Sequence, residues 1–208
     1  MIAYLKEAPE KLIQASLEHV QLTVVSLFFA LLFASVLTGF LYFLPKLREV
    51  SVYLLSLFYA IPSFALFALL IPLTGLGKTT AIVALVAYAQ YILVRSFLAG
   101  LLEVEPSQIE AAQGMGMTNW QILRKIRLPL AVPALVSGLR LAATSIIMIA
   151  TIGATIQAGG LGTLLFDGLR TNSIPKLAWG IILSLAITLW VNLILYLIEE
   201  IFKPQTLS

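Results

Sequence analysis

Cysteine is absent from this 208-residue chain, and histidine occurs once, as His19. Without a thiol there is no disulfide framework, no thiolate metal site and no cysteine nucleophile, and a lone histidine excludes a multi-histidine metal site. Charge is scarce too: Asp, Glu, Lys and Arg make up 11% of residues, against about a quarter in an average soluble domain. A chain this poor in charge cannot cover a soluble surface, so lipid must solvate what water would not. The long apolar runs contain no Asp or Glu, which removes the titratable groups that a proton-coupled carrier ordinarily places near the bilayer midplane. An intramembrane hydrolase would need a serine with a histidine or lysine partner inside the bundle, or a metal cluster. His19 stands alone at a predicted membrane boundary and reads as an interfacial or packing residue.

What is present in abundance is apolar sequence, 60% of the chain. After an amphipathic start over 1–18, apolar runs at 20–43, 50–73, 80–102, 132–157 and 177–198 each reach the roughly 20 residues that cross a bilayer as a helix. The first is too long for a signal-peptide core and is expected to be retained. Pro62 is expected to kink the second run, because proline removes a backbone donor and clashes with the preceding turn. The segment 103–129 is the one sizeable internal polar stretch, with Glu103, Glu105, Glu110, Arg124, Lys125 and Arg127. The expected fold is an all-α integral membrane bundle of about five transmembrane helices, one transmembrane domain over 1–208.

The net charge of +3 comes from basic residues scattered in short breaks between runs, which reads as basic loops at a membrane surface rather than as a nucleic-acid patch. With the 103–129 loop placed in the cytoplasm, Lys46, Arg48, Arg95, Arg124, Lys125, Arg127, Arg140 and Lys203 fall inside, while Lys6, Lys11, Lys78, Arg170 and Lys176 fall outside. That bias favours an external N-terminus and a cytoplasmic C-terminus. Arg95 and Arg140 are the cations within the runs, near their cytoplasmic ends, where they can snorkel or meet loop carboxylates.

The polar loop holds the most informative pattern: Glu110-Ala111-Ala112, then Gly116, then Ile126, Leu128 and Pro129. Pro106-Ser107 followed by Glu110 predicts a helix start with Ser107 as cap and Glu110 completing a capping box. Small residues Ala111, Ala112, Gly114 and Gly116 would let this helix seat in a partner's groove, with Met115, Met117 and Trp120 as contact surface. A solvated connecting loop is the plainer reading of an isolated Glu-Ala-Ala. The full spacing between two membrane spans resembles the cytoplasmic loop of the permeases of bacterial ATP-binding-cassette (ABC) importers.

The resemblance extends over about 21–192 and is strongest toward the permeases for glycine betaine, carnitine and choline. It is seen in Tyr59-Ala60-Ile61-Pro62-Ser63, Met115-Gly116-Met117, Leu128-Pro129-Leu130-Ala131-Val132-Pro133 and Ala158-Gly159-Gly160-Leu161-Gly162. Methionine permeases share the loop but fit these flanks less well. The third run departs from the subgroup: Gln90-Tyr91-Ile92-Leu93-Val94-Arg95 stands where a proline-containing stretch is usual, which predicts a straighter helix.

The resemblance implies a type I importer permease that is not itself an enzyme. It implies partners: cytoplasmic ABC ATPases that grip the 103–129 coupling loop and hold the ATP and Mg, a second or sister permease, and an extracytoplasmic binding protein, all at a bacterial cell membrane. This chain would bind no cofactor of its own. A permease for another small solute such as an amino acid, an ion-coupled secondary transporter and a scaffolding membrane subunit are the alternatives.

Tyr59, Ser63, Gln90, Tyr91, Ser145, Thr151 and Asn192 are the polar candidates for a solute pathway, and each could equally be a hydroxyl or amide bonded to a neighbouring helix. Two glycine-rich stretches do not fit nucleotide loops. Pro72 occupies the first-glycine position of a phosphate loop ending at Gly77-Lys78-Thr79, and that stretch follows an apolar helix rather than a strand. Gly159, Gly160 and Gly162 read as a tight turn at a helix end, which the resemblance places at the binding protein or the outer mouth.

Overall fold

Backbone amides inside a bilayer core find no water, so apolar runs satisfy them within helices. The computed structural model describes residues 1–202 as α1 (Ile2–Glu7), α2 (Pro9–Tyr42), α3 (Pro45–Tyr59), α4 (Ser63–Thr74), α5 (Lys78–Leu102), α6 (Pro106–Gly114), α7 (Asn119–Ile122), α8 (Leu128–Ile152), α9 (Gly162–Arg170) and α10 (Ile174–Phe202). A π turn at Leu123–Arg127 precedes α8 and a 3₁₀ turn at Gly153–Ile156 follows it. Lys203, one of the expected cytoplasmic cations, lies outside the described residues.

Among the described residues, four segments are long and apolar enough to cross a membrane: α2, α5, the continuous run Asn119–Ile156, and α10. A fifth crossing exists if α3 and α4, which meet at 93°, count as one broken span. Pro62 therefore does more than kink a helix. It is extended, at φ −57° and ψ 132°, and caps α4, while steric conflict with its ring disfavours helical geometry at the residue before it. The Tyr88 hydroxyl donates to the Ile61 carbonyl at this break, which is how irregular backbone is tolerated at membrane depth.

Three other boundaries differ from the sequence reading. α2 begins at Pro9, well before 20, because the amphipathic start continues the same helix. The helical run that contains the fourth apolar run begins at Asn119, ahead of 132. Pro129, which cannot donate, is accommodated because the preceding turn widens to π geometry, with the Leu128 N–H bonded to the Leu123 carbonyl. The stretch between the fourth and fifth runs, read only as a glycine turn, contains α9. α5 runs without interruption from Lys78 to Leu102, as its missing proline predicted.

The core lies where α5 meets α2 and α8: Ala30, Ala34 and Leu41 face Leu85, Ala89, Leu93 and Phe97, with Ala142, Ile146 and Ala150 on the third side. Lipid is as apolar as leucine, so small residues that admit close packing hold membrane helices together. α5 and α8 approach furthest, antiparallel: a Cβ on Gly100 would lie 2.6 Å from the Ala134 Cβ, and one on Gly138 would collide with Ser96. α10 buries little, exposing Leu185, Leu189 and Trp190.

The crossings sort the connections to two ends. At one, the Phe43 and Trp120 rings stack with centroids 6.4 Å apart, and Arg127 donates to the Leu101 carbonyl. At the other, Lys78 Nζ donates to Gln21 Oε1 at 3.0 Å, and the Gly160 N–H donates to Glu18 at 3.0 Å. The loops after the first and third spans thus share one end, as alternating crossings require.

Candidate functional site

The polar segment between α5 and α8 forms a helix, a reversal and a second helix start. α6 is capped at Glu105 with Pro106 in its first turn, and no side chain bonds its free amides. Ser107 is therefore inside the helix and makes no cap, because proline is favoured at the first helical position and leaves the residue before it to be the cap. A true capping box sits eleven residues after Ser107: Thr118 Oγ1 accepts from the Gln121 N–H at 3.3 Å, and Gln121 Oε1 accepts from the Thr118 N–H at 2.8 Å. Between the two, Gly116 takes φ +77°, and Met117 donates to the Ala112 carbonyl at 3.0 Å, closing the turn.

This arrangement splits the Glu-Ala-Ala pattern between two faces. Glu110, Ala111 and Gly116 are exposed, as are Met115 and Trp120. Ala112 is completely buried against the chain's own body, so it positions α6 and has no surface left for a partner. Ile126 is half-buried in the π turn, and Leu128 and Pro129 are exposed at the start of α8. The exposed side chains form a protruding face that combines one carboxylate with soft and aromatic surface.

Of the pathway candidates, the structure brings some together and separates others. Tyr59, Ser145 and Asn192 line one open cavity of about 460 Å³, shared with Ser137, Arg140 and Thr144. The Tyr91 ring lies beside that of Tyr59, tilted by 37°, with centroids 5.2 Å apart. The Tyr91 hydroxyl accepts from Arg95 at 2.7 Å, and that guanidinium also lies over the Tyr91 ring at 5.8 Å. Asn192 donates to Thr144 Oγ1 at 3.2 Å and to the Thr188 carbonyl at 2.9 Å, which ties α10 to α8. Gln90 is turned away from this cavity, bonding the Ala30 carbonyl across to α2 at 3.2 Å and the Val86 carbonyl at 3.1 Å. Thr151 bonds back to the Met148 carbonyl at 2.7 Å, and Ser63 opens α4 beyond the break.

Arg140 also lines the cavity, ion-paired to Glu199 of α10. Its carboxylate partner is on a helix rather than in a loop. An arginine in one apolar run and a glutamate just past another were the readable signal for the pair, but nothing in the spacing joins them. The glycine turn was readable: Gln157, Gly159 and Gly160 all have positive φ. His19, fully buried beneath Gly160, packs there, and a Cβ on Gly160 would lie 3.0 Å from its Nδ1.

Comparison with known proteins bears on the fold and the family. Two solved structures of the inward-facing MetNI methionine ABC transporter superpose with TM-scores of 0.85 and 0.84, at 24% and 25% identity, each covering 95% of this chain and 99% of the other. The described helices are thus those of a type I ABC importer permease. The chain belongs to the family of binding-protein-dependent transport system inner membrane components, matched over residues 26–208. It is 34% identical to the osmoprotectant import permease protein OsmY of Salmonella typhimurium over 97% of this chain and 86% of that one. It is 33% identical to the carnitine transport permease protein OpuCB of Listeria monocytogenes over 78% and 75% of the two chains. The protein is a transport subunit and not an enzyme.

Proposed function

We propose that this chain is the permease of an ATP-driven importer for a quaternary ammonium osmoprotectant of the glycine betaine, carnitine or choline type. The observation that carries the substrate class is the similarity, over nearly the whole chain, to a permease named for osmoprotectant import. The chemistry of the cavity fits: tyrosine rings attract a quaternary ammonium through their π faces, and Tyr59 and Tyr91 stand side by side at its edge. The cage that selects the solute belongs to an extracytoplasmic binding protein, and the permease tyrosines make transient contacts during passage.

In this reading two permeases form the pathway and two cytoplasmic ATPases, which hold the ATP and Mg, grip the protruding face of α6. Closure of the ATPase pair moves the 110–117 segment and, through α8 with Pro129 and Pro133, switches the solute cavity between the two sides. Glu110, Ala111, Gly116, Ile126, Leu128 and Pro129 lie along the route of force. Ala112 serves it from inside, by fixing α6 to the bundle. The N-terminus is external and the α6 side is cytoplasmic in the bacterial cell membrane.

The test is uptake of radiolabelled glycine betaine, carnitine, choline and methionine by vesicles holding the assembled importer and its binding protein. ATP-dependent, saturable uptake of at least one quaternary amine, with methionine excluded, is the expected result. Methionine uptake, or flux that follows an ion gradient after ATP depletion, overturns it.

A further inference from the structure

α2 leaves an apolar groove against the ends of α5 and α8, with a volume of about 460 Å³. Leu31, Ser35, Thr38, Gly39 and Tyr42 line it from α2, and Trp120 closes the α6 end. The rise from Leu31 to Tyr42 is roughly 17 Å at 1.5 Å per residue. One leaflet of the hydrocarbon core is roughly 15 Å deep, so the groove is one acyl chain long.

Two further observations point to a ligand. Thr38 is 3% exposed, lines the groove, and its Oγ1 has no hydrogen-bond partner among the described residues. At the groove's end the Tyr42 ring carries two guanidinium groups, with the Arg48 and Arg127 Cζ atoms 5.7 and 5.8 Å from its centroid. Neither arginine ion-pairs with a described carboxylate, although Glu49 and Glu103 lie close by in the chain. They donate instead to carbonyls of Leu41, Tyr42 and Leu101, and Arg127 Nε is buried without a partner. Lys46, Arg124 and Lys125 add to the positive charge of these same segments.

We propose that the groove holds one acyl chain of an anionic phospholipid drawn from the leaflet on the α6 side, with its headgroup phosphate against Arg48 and Arg127. A helix of a partner subunit would fill the apolar part, but it would reach the two guanidinium groups only with a carboxylate at that depth. An anionic headgroup meets both. Juxtamembrane arginines attract such lipids by about a factor of five each.

Gly39 supplies the test, because a Cβ there meets nothing within 4 Å, so Gly39→Leu fills the groove without disturbing the helix packing. The full chain, with Trp179→Phe and Trp190→Phe leaving Trp120 as the fluorophore, is reconstituted in phosphatidylcholine vesicles. Chain-brominated phosphatidylglycerol or chain-brominated phosphatidylcholine then replaces a rising fraction of the lipid. Half-maximal quenching of Trp120 is expected at about 25-fold less brominated phosphatidylglycerol than phosphatidylcholine, and Arg48→Gln should narrow the gap to about fivefold. Gly39→Leu should abolish the preference while helical circular dichroism is unchanged, and Ser35→Phe, on the same wall, should do likewise if the first variant accumulates poorly. Equal quenching by the two lipids in the parent, or a preference that survives both groove-filling variants, overturns the proposal.

Discussion

Glu18 and Gly160 are joined by a hydrogen bond, the glycine N–H donating to the carboxylate at 3.0 Å across 142 positions of sequence. Gln14 donates to the other carboxylate oxygen at 3.1 Å. The turn after α8 is thereby fastened to the first span beside fully buried His19. Gly160 has φ +79°, so Gly160→Ala adds left-handed backbone strain of about 1–2 kcal/mol as well as a contact with the His19 ring. Thermal melting of the purified permease should drop for this variant and hold steady for Gly39→Ala, whose Cβ enters open space.

The exposed and buried halves of the Glu-Ala-Ala pattern should fail in different ways. Glu110→Lys is expected to insert normally and lose ATP-driven uptake, since it lies on the outer surface, and Gly116→Trp should lose uptake too while carrying about 1–2 kcal/mol of left-handed strain at its φ of +77°. Ala112→Leu overpacks a fully buried site and should cost about 1–3 kcal/mol of stability, lowering the amount of folded protein. Membrane abundance measured beside uptake separates the two. Normal transport by both Glu110→Lys and Gly116→Trp would remove α6 as the point of coupling.

The absence of cysteine makes orientation directly testable. Met115→Cys and Thr171→Cys each introduce one exposed thiol, at opposite ends of the bundle. A membrane-impermeant maleimide should label Thr171→Cys in intact spheroplasts and Met115→Cys only after permeabilisation. The reverse pattern would turn the proposed topology over.

Asp167 accepts from Lys176 Nζ at 2.6 Å and from Arg170 at 3.0 Å. The Lys176 hydrogen bond first, and the Arg170 bond second, hold its carboxyl below the usual carboxylate range. Because the folded-state value is depressed, the stabilisation is complete above the unfolded carboxylate pKa of about 3.9 and is lost as pH falls through the lower folded value. Lys176→Met should narrow the gap in melting temperature between neutral and acid pH. The effect should be small, as the aspartate is more than a third exposed. A gap unchanged by the substitution would show that the pair contributes nothing.

The centres of the membrane segments were legible because lipid demands long uncharged runs, and Pro62 announced a kink because proline removes a backbone donor and clashes with the preceding turn, although the 93° break went further than that. The helix ends were harder to read. Ser107 looked like a cap, yet Pro106 one step earlier already fixed the first turn and moved the cap to Glu105. α9 escaped notice because Gly162, Asp167 and Gly168 give it the composition of a turn, while its order comes from packing on α10. Within the candidate site, the meeting of Tyr59 with Tyr91 and of Ser145 with Asn192 depends on how α3, α5, α8 and α10 cross. Gln90 has the same polarity as those residues but the opposite placement, because its position on α5 faces α2.

The close contact of Ser96 with Gly138 and of Gly100 with Ala134 has a mechanical meaning for the segment strung between those helices. α6 and α7 connect the ends of two closely packed spans, so in the coupling proposed for α6 a pull on this connection is expected to swing both as a single oar rather than splay the pair.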